Sequence, residues 1–172
     1  MKMKIWKTLC HPHVLELYGA SSTSGNPPWF FVSPYLSHGS LVSYLQHLPT
    51  LPFDYILQVL HQIAEGMEYL HSKDVLHGDL KASNVLVNDT KECVLADFGM
   101  SEMKSEVLRI SGITLQGTYR WMAPELMRVG GELTKETDVY AFAITVIEVL
   151  TKGETIPWGS QLPNADMANG QD

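Results

Sequence analysis

Apolar residues recur at three- and four-residue steps along one stretch of the chain: Ile56, Val59, Leu60, Ile63, Met67 and Leu70. That spacing lays one stripe down the side of a helix. Pro52 stands just ahead of it, where a missing N–H costs little. A second long helix is expected from Lys135 to Lys152. Its apolar face would be Val139, Phe142, Ala143, Val146, Ile147 and Leu150, with Thr134 as N-cap and Gly153 as stop. Shorter pieces fill the remainder. Trp6 to Gly19 is apolar and broken at His11-Pro12. Ser21 to Pro28 is turn-rich and reads as a loop. Trp29 to Val32 suits a buried strand, Ser37 to Ser40 breaks it, and Leu41 to Leu48 reads as a short helix. Val85–Val87 and Cys93–Ala96 are expected to be two short strands, separated by the turn residues Asn88 and Asp89. No period persists from Asp97 to Tyr119, which suits a long functional loop. Beyond Trp158 the chain turns polar and aperiodic, so 159–172 is expected to be a frayed tail.

These elements describe a mostly helical α+β body. Composition narrows its class. With 172 residues, 45% hydrophobic and 18% charged, the chain can bury one core. A net charge of −7 argues against a broad DNA or RNA surface, though not against a pocket for one nucleotide. Cys10 and Cys93 show neither metal-ligand nor disulfide-framework spacing, so two buried or half-buried thiols in a reducing compartment are expected. No apolar run approaches the roughly 18 residues of a membrane span. The opening Met-Lys-Met-Lys lacks the apolar stretch of a signal peptide. The expectation is a soluble protein of the cytoplasm.

None of this names a chemistry; the polar residues do. Four blocks follow in order: His77-Gly78-Asp79-Leu80-Lys81-Ala82-Ser83-Asn84, Asp97-Phe98-Gly99, Gly117 to Glu125 (GTYRWMAPE), and Asp138-Val139-Tyr140. In order and spacing they resemble the eukaryotic protein kinase family, over about Ile5 to Trp158. The resemblance implies a partial kinase domain at 1–158, mostly the helical C-terminal lobe, with the N-terminal lobe largely missing. It implies ATP and Mg²⁺ as cofactors and a protein as substrate.

Phosphoryl transfer explains why such residue types are needed. Negative charge spreads over the γ-phosphate oxygens, so catalysis is mainly positioning and electrostatic stabilisation. By resemblance, Asp79 is the base that orients and deprotonates the substrate hydroxyl, and Lys81 meets the transferring phosphate. Asn84 and Asp97 would supply oxygens to magnesium, which favours hard ligands. Ser33 matches the small gatekeeper position. Pro34 and Leu36 would meet the adenine edge, and Leu86 would floor its pocket. Thr118, Trp121, Pro124 and Glu125 belong to the activation and substrate segment. His77 is expected to pack and hydrogen-bond, and Asp138 to brace the loop backbone.

Departures from the family pattern matter too. Gly78 stands where many kinases carry an arginine that grips a phosphorylated activation loop. Activity is therefore expected not to depend on phosphorylation at Ser105, Ser111 or Thr114. No Gly-rich phosphate loop precedes Trp6, and the phosphate-pairing lysine and its partner glutamate are missing from the pattern. That motivates an alternative, a catalytically inactive kinase-like scaffold, and an expectation of poor solubility from uncovered apolar surface. Lys81-Ala82-Ser83-Asn84 and Thr118 resemble the serine/threonine pattern, whereas Trp121 to Glu125 is shared with tyrosine kinases. The mixture resembles the tyrosine-kinase-like group, serine/threonine in type.

Overall fold

The stripe from Ile56 to Leu70 does form a long helix, and its buried side meets Cys93–Leu95 and Lys135–Leu150. The computed structural model describes residues 6–21, 30–98, 119–128 and 130–154. In chain order, β1 is Gly19–Ser21, β2 Phe30–Val32, α1 Leu41–His47, α2 Phe53–Ser72, β3 Val85–Val87, β4 Cys93–Leu95 and α3 Lys135–Leu150. Single 3₁₀ turns stand at Ala82–Asn84, Tyr119–Trp121 and Pro124–Met127.

Pro52 caps α2, and Ile56, Val59, Ile63, Met67 and Leu70 are buried, with Leu60 half-buried. α2 lies against β4. Gly66 permits the close approach, because a Cβ there would come within 2.6 Å of the His13 carbonyl oxygen and 2.8 Å of Leu95 Cδ1. The buried Gln62 accepts the Cys93 N–H at 2.9 Å. A buried amide unmatched there would cost about 1–3 kcal/mol.

β3 and β4 form an antiparallel hairpin in the register Val85 to Leu95 and Val87 to Cys93. Its turn is built by Asn88, whose Oδ1 accepts the N–H groups of Thr90 (3.0 Å) and Glu92 (2.8 Å). On the other side of β4, the 13–15 segment adds a short edge. Leu95 N–H donates to the His13 carbonyl at 3.0 Å and Leu15 N–H to the Leu95 carbonyl at 2.9 Å. β1 and β2 form a separate two-stranded sheet.

Several expectations need correction. Ser21 belongs to β1 rather than to the loop, and β1 itself carried no apolar alternation to announce it. β2 is not a buried strand, since Phe31 and Val32 are each 46% exposed. Among the described residues it pairs with β1, and Phe31 meets Trp6 at a ring-centroid distance of 5.5 Å. The largest correction concerns α3. Its buried residues are Thr137, Asp138, Ala141, Ile144, Thr145, Glu148 and Val149. Most of the expected apolar face points outward, with Val139 60%, Leu150 52% and Ile147 39% exposed, whereas Phe142 and Val146 are half-buried. α3 is apolar nearly all round, so periodicity could not choose its inner side. Its ends were legible: Thr134 and Thr137 form a reciprocal capping box, and Gly153 has φ +75°.

Cys10 is exposed, against expectation, while Cys93 is buried. Burial pushes the Cys93 thiol up to about 12. Native protein is therefore expected to take up iodoacetamide at Cys10 alone, with Cys93 reacting only after unfolding. Peptide mass mapping at neutral pH checks this, and native labelling of Cys93 would contradict the packing described. Among the described residues no helix is long and apolar enough to cross a membrane. The expected tail at 159–172 and most of the loop from Asp97 to Tyr119 lie outside the described residues.

Candidate active site

The loop from His77 to Asn84 joins α2 to β3, and its backbone is held from outside. Asp138, only 1% exposed on the first turn of α3, accepts three hydrogen bonds. Its Oδ1 takes Gly78 N–H at 2.7 Å, and its Oδ2 takes His77 N–H and His71 Nε2, each at 2.8 Å. Gly78 has φ +70°, the left-handed region in which a residue without Cβ is unstrained. This matches the bracing role expected of Asp138.

Inside that mount the polar side chains converge. Asp79 is buried, with its Oδ1 3.4 Å from Lys81 Nζ. Asn84 closes the loop from its far end, with Nδ2 donating to the Asp79 carbonyl at 2.7 Å and to Asp79 Oδ2 at 3.1 Å. Spending Nδ2 on Asp79 leaves the amide oxygen of Asn84 on the opposite side. The hairpin then brings in Asp97. Because Val85 pairs with Leu95, Ala96 falls opposite Asn84, and Ala96 N–H donates to the Asn84 carbonyl at 2.9 Å. Asp97 follows, exposed, with φ +55°, an uncommon conformation that Asp tolerates better than most residues.

Leu86 lies on β3 between these groups, half-buried and paired with Val94. The segment after β2 docks beside it. Gly39 N–H donates to the Leu36 carbonyl at 3.2 Å, Val87 N–H donates to the Gly39 carbonyl at 2.9 Å, and Ser40 bridges Leu86. Ser33, Pro34 and Leu36 are all half-buried on that segment. Thus Leu36 lies on backbone bonded to β3, the strand that carries Leu86 and leads directly out of Asn84. Trp121 is buried, Pro124 and Glu125 are exposed, and Thr118 lies outside the described residues.

His77 is fully buried, and burial lowers its pKa to about 4, against the opposing pull of the Asp138, Asp79 and Asp97 carboxylates. The ring is neutral at pH 7 and packs edge-on to Phe98, with centroids 6.4 Å apart. Phe98 in turn meets Trp6 edge-on at 5.5 Å, and Trp6 Nε1 donates to the Leu15 carbonyl at 2.8 Å. A stack therefore runs from the 13–15 edge through Trp6, Phe98 and His77 to Asp138. Sequence reasoning missed Trp6 in this role.

It also missed Glu148. This carboxylate, buried on α3, accepts Ala82 N–H at 2.9 Å and the Trp121 indole N–H at 3.0 Å through one oxygen. A lone acid inside the apolar run from Ala141 to Leu150 was a usable signal, because buried charges are rare unless paired.

The family model described as protein tyrosine and serine/threonine kinase matches residues 1–170. The chain belongs to the protein kinase family. Among its relatives, serine/threonine/tyrosine-protein kinase HT1 of Arabidopsis thaliana is 37% identical over 145 residues, covering 83% of this chain and 36% of the relative. Tyrosine-protein kinase Abl of Drosophila melanogaster is 33% identical, covering 87% of this chain and 9% of the relative. The mitogen-activated protein kinase kinase kinase dlk-1 of Caenorhabditis elegans is 32% identical, covering 88% and 16%. The kinase chain thus spans between about a tenth and about a third of the length of such relatives.

Kinase-family proteins generally use ATP with Mg²⁺, and the donors here can be weighed against that ion. Among the described residues no three His, Cys, Asp or Glu side chains converge into a metal cage. Magnesium does not need one, since it usually takes one or two carboxylates and fills its shell with phosphate oxygens and water. The amide oxygen of Asn84 and the exposed carboxylate of Asp97 are hard donors on adjoining backbone. The residues present fit the ion.

Proposed function

We propose that this chain carries the phosphoryl-transfer residues of a serine/threonine protein kinase of the tyrosine-kinase-like group. The supporting observation is the convergence of the Asp79 carboxylate, the Lys81 ammonium and the Asn84 amide within one loop braced by Asp138. Asp79 accepts the proton of the substrate hydroxyl as its oxygen attacks the γ-phosphorus of ATP. The bond from that phosphorus to the β-bridging oxygen breaks, and ADP leaves. Lys81 supplies positive charge where the equatorial oxygens gather negative charge. Asn84 and Asp97 would hold magnesium, which neutralises phosphate charge when bound. Ser33, Pro34, Leu36 and Leu86 would form the adenine side, and Thr118, Trp121, Pro124 and Glu125 the protein-substrate side.

Serine/threonine preference rests on the resemblance of Lys81 to Asn84 and of Thr118 to that class. A cytoplasmic setting belongs to the same reading, in keeping with two free cysteines. Incubation with Mg–ATP and a mixed peptide library, followed by phosphoamino-acid analysis, tests it. Phosphoserine and phosphothreonine are expected. Phosphotyrosine alone would overturn the specificity, and failure to bind Mg–ATP would favour the interaction-protein alternative.

A further inference from the structure

α3 grips the His77–Asn84 loop at two places. Asp138 holds the entry at His77 and Gly78, and Glu148 holds the exit at Ala82. The two acids are ten residues apart, about 15 Å along the helix axis. The second grip differs from the first in reaching beyond the loop. The same Oε2 that accepts Ala82 N–H also accepts the indole N–H of Trp121.

We infer that Glu148 is a positioning residue that couples the Trp121 segment to the placement of Lys81 and Asp79. The inference rests on the kinase reading for its consequence, since that reading makes the Trp121 segment the protein-substrate side. Its physical basis stands apart from it. Ala82 and Trp121 are both buried, so neither N–H has water as a ready alternative partner. One oxygen serves both donors, so a shift of the indole moves or reorients the acceptor of Ala82. Ala82 directly follows Lys81, whose ammonium meets Asp79 at 3.4 Å. The field of Lys81 also reaches Glu148. Burial pushes the carboxyl up, and Ala82, Trp121 and Lys81 each pull it down. Packing alone would be served by an apolar side chain at this position. A carboxylate there has a job that leucine cannot do.

The test compares Trp121→Phe, Glu148→Gln and Glu148→Leu with the unsubstituted chain, reading amide hydrogen exchange at Ala82 by NMR. Trp121→Phe removes the indole donor together with part of the buried ring, and leaves the Glu148 acceptor of Ala82 in place. Measured relative to the amides of α2, Ala82 exchange is expected to speed up about fivefold, because the shared acceptor loses the indole that holds it. Glu148→Leu should exceed that, and Glu148→Gln, whose amide oxygen still accepts, should restore most of the protection. In phosphotransfer assays, Glu148→Leu is expected to lower kcat at least about tenfold with KM for ATP unchanged, and Gln to recover most of it. Ala82 exchange unaltered by Trp121→Phe, or a Gln variant no better than Leu, would overturn the coupling. If Glu148→Leu does not fold, the Trp121→Phe and Glu148→Gln comparison still decides. Absence of transfer by the unsubstituted chain would count against the kinase reading alone, because the exchange comparison does not depend on turnover.

Discussion

Replacing Asp79 with asparagine is expected to slow phosphoryl transfer by about 10²–10⁴-fold, the usual contribution of a positioned general base. The substitution is nearly isosteric. An amide oxygen at position 79 can still accept from Asn84 Nδ2, and the second Asn84 bond goes to the Asp79 backbone carbonyl, which is untouched. The loop therefore keeps its shape. What disappears is the negative charge facing Lys81 and, on the proposed reading, the group that would take the hydroxyl proton. Single-turnover transfer, with Mg–ATP affinity and melting temperature measured in parallel, isolates the effect. A fall in rate with both controls steady is the expected result. An unchanged rate would refute the assignment of Asp79.

The largest effect on stability is expected at Asp138. Asp138→Ala strands two backbone N–H groups and the His71 ring, all in surroundings where the carboxylate is 1% exposed. Each unmatched buried donor costs about 1–3 kcal/mol. The sum, about 3–9 kcal/mol, is comparable with the whole stability of many domains. Urea unfolding should show the midpoint falling by more than about 1 M, given slopes of about 1–3 kcal/mol/M. Asp138→Asn, which keeps one acceptor oxygen, should fall between. A midpoint within about 0.3 M of the unsubstituted chain would show that the loop does not hang from Asp138.

How far the structure could be read from the sequence depended on the kind of information each element carries. α1, α2 and the β3–β4 hairpin were legible because each has a local signal: a single-sided stripe, a run of β-branched residues, or a turn led by Asn88. The inner face of α3 was not, because a helix apolar all round contains no local information about which side meets the core. β1 failed for a related reason, being three residues of weak pattern whose strand character comes from pairing with β2. In the site, Asp79, Lys81, Asn84 and Asp97 stood out through motif order, and the structure brings the first three together and sets Asp97 on adjoining backbone. Glu148 and Trp6 act across long sequence separations on partners that no spacing rule connects.

The clamps on the His77–Asn84 loop take hold of peptide N–H groups at residues 77, 78 and 82. A peptide N–H is the same whatever side chain its residue bears, so this mount is indifferent to most of what the loop displays. The exposed side chain of Ser83 can be exchanged without asking α3 to change. That separation of support from display lets what the loop shows to solvent change while its foundations stay put.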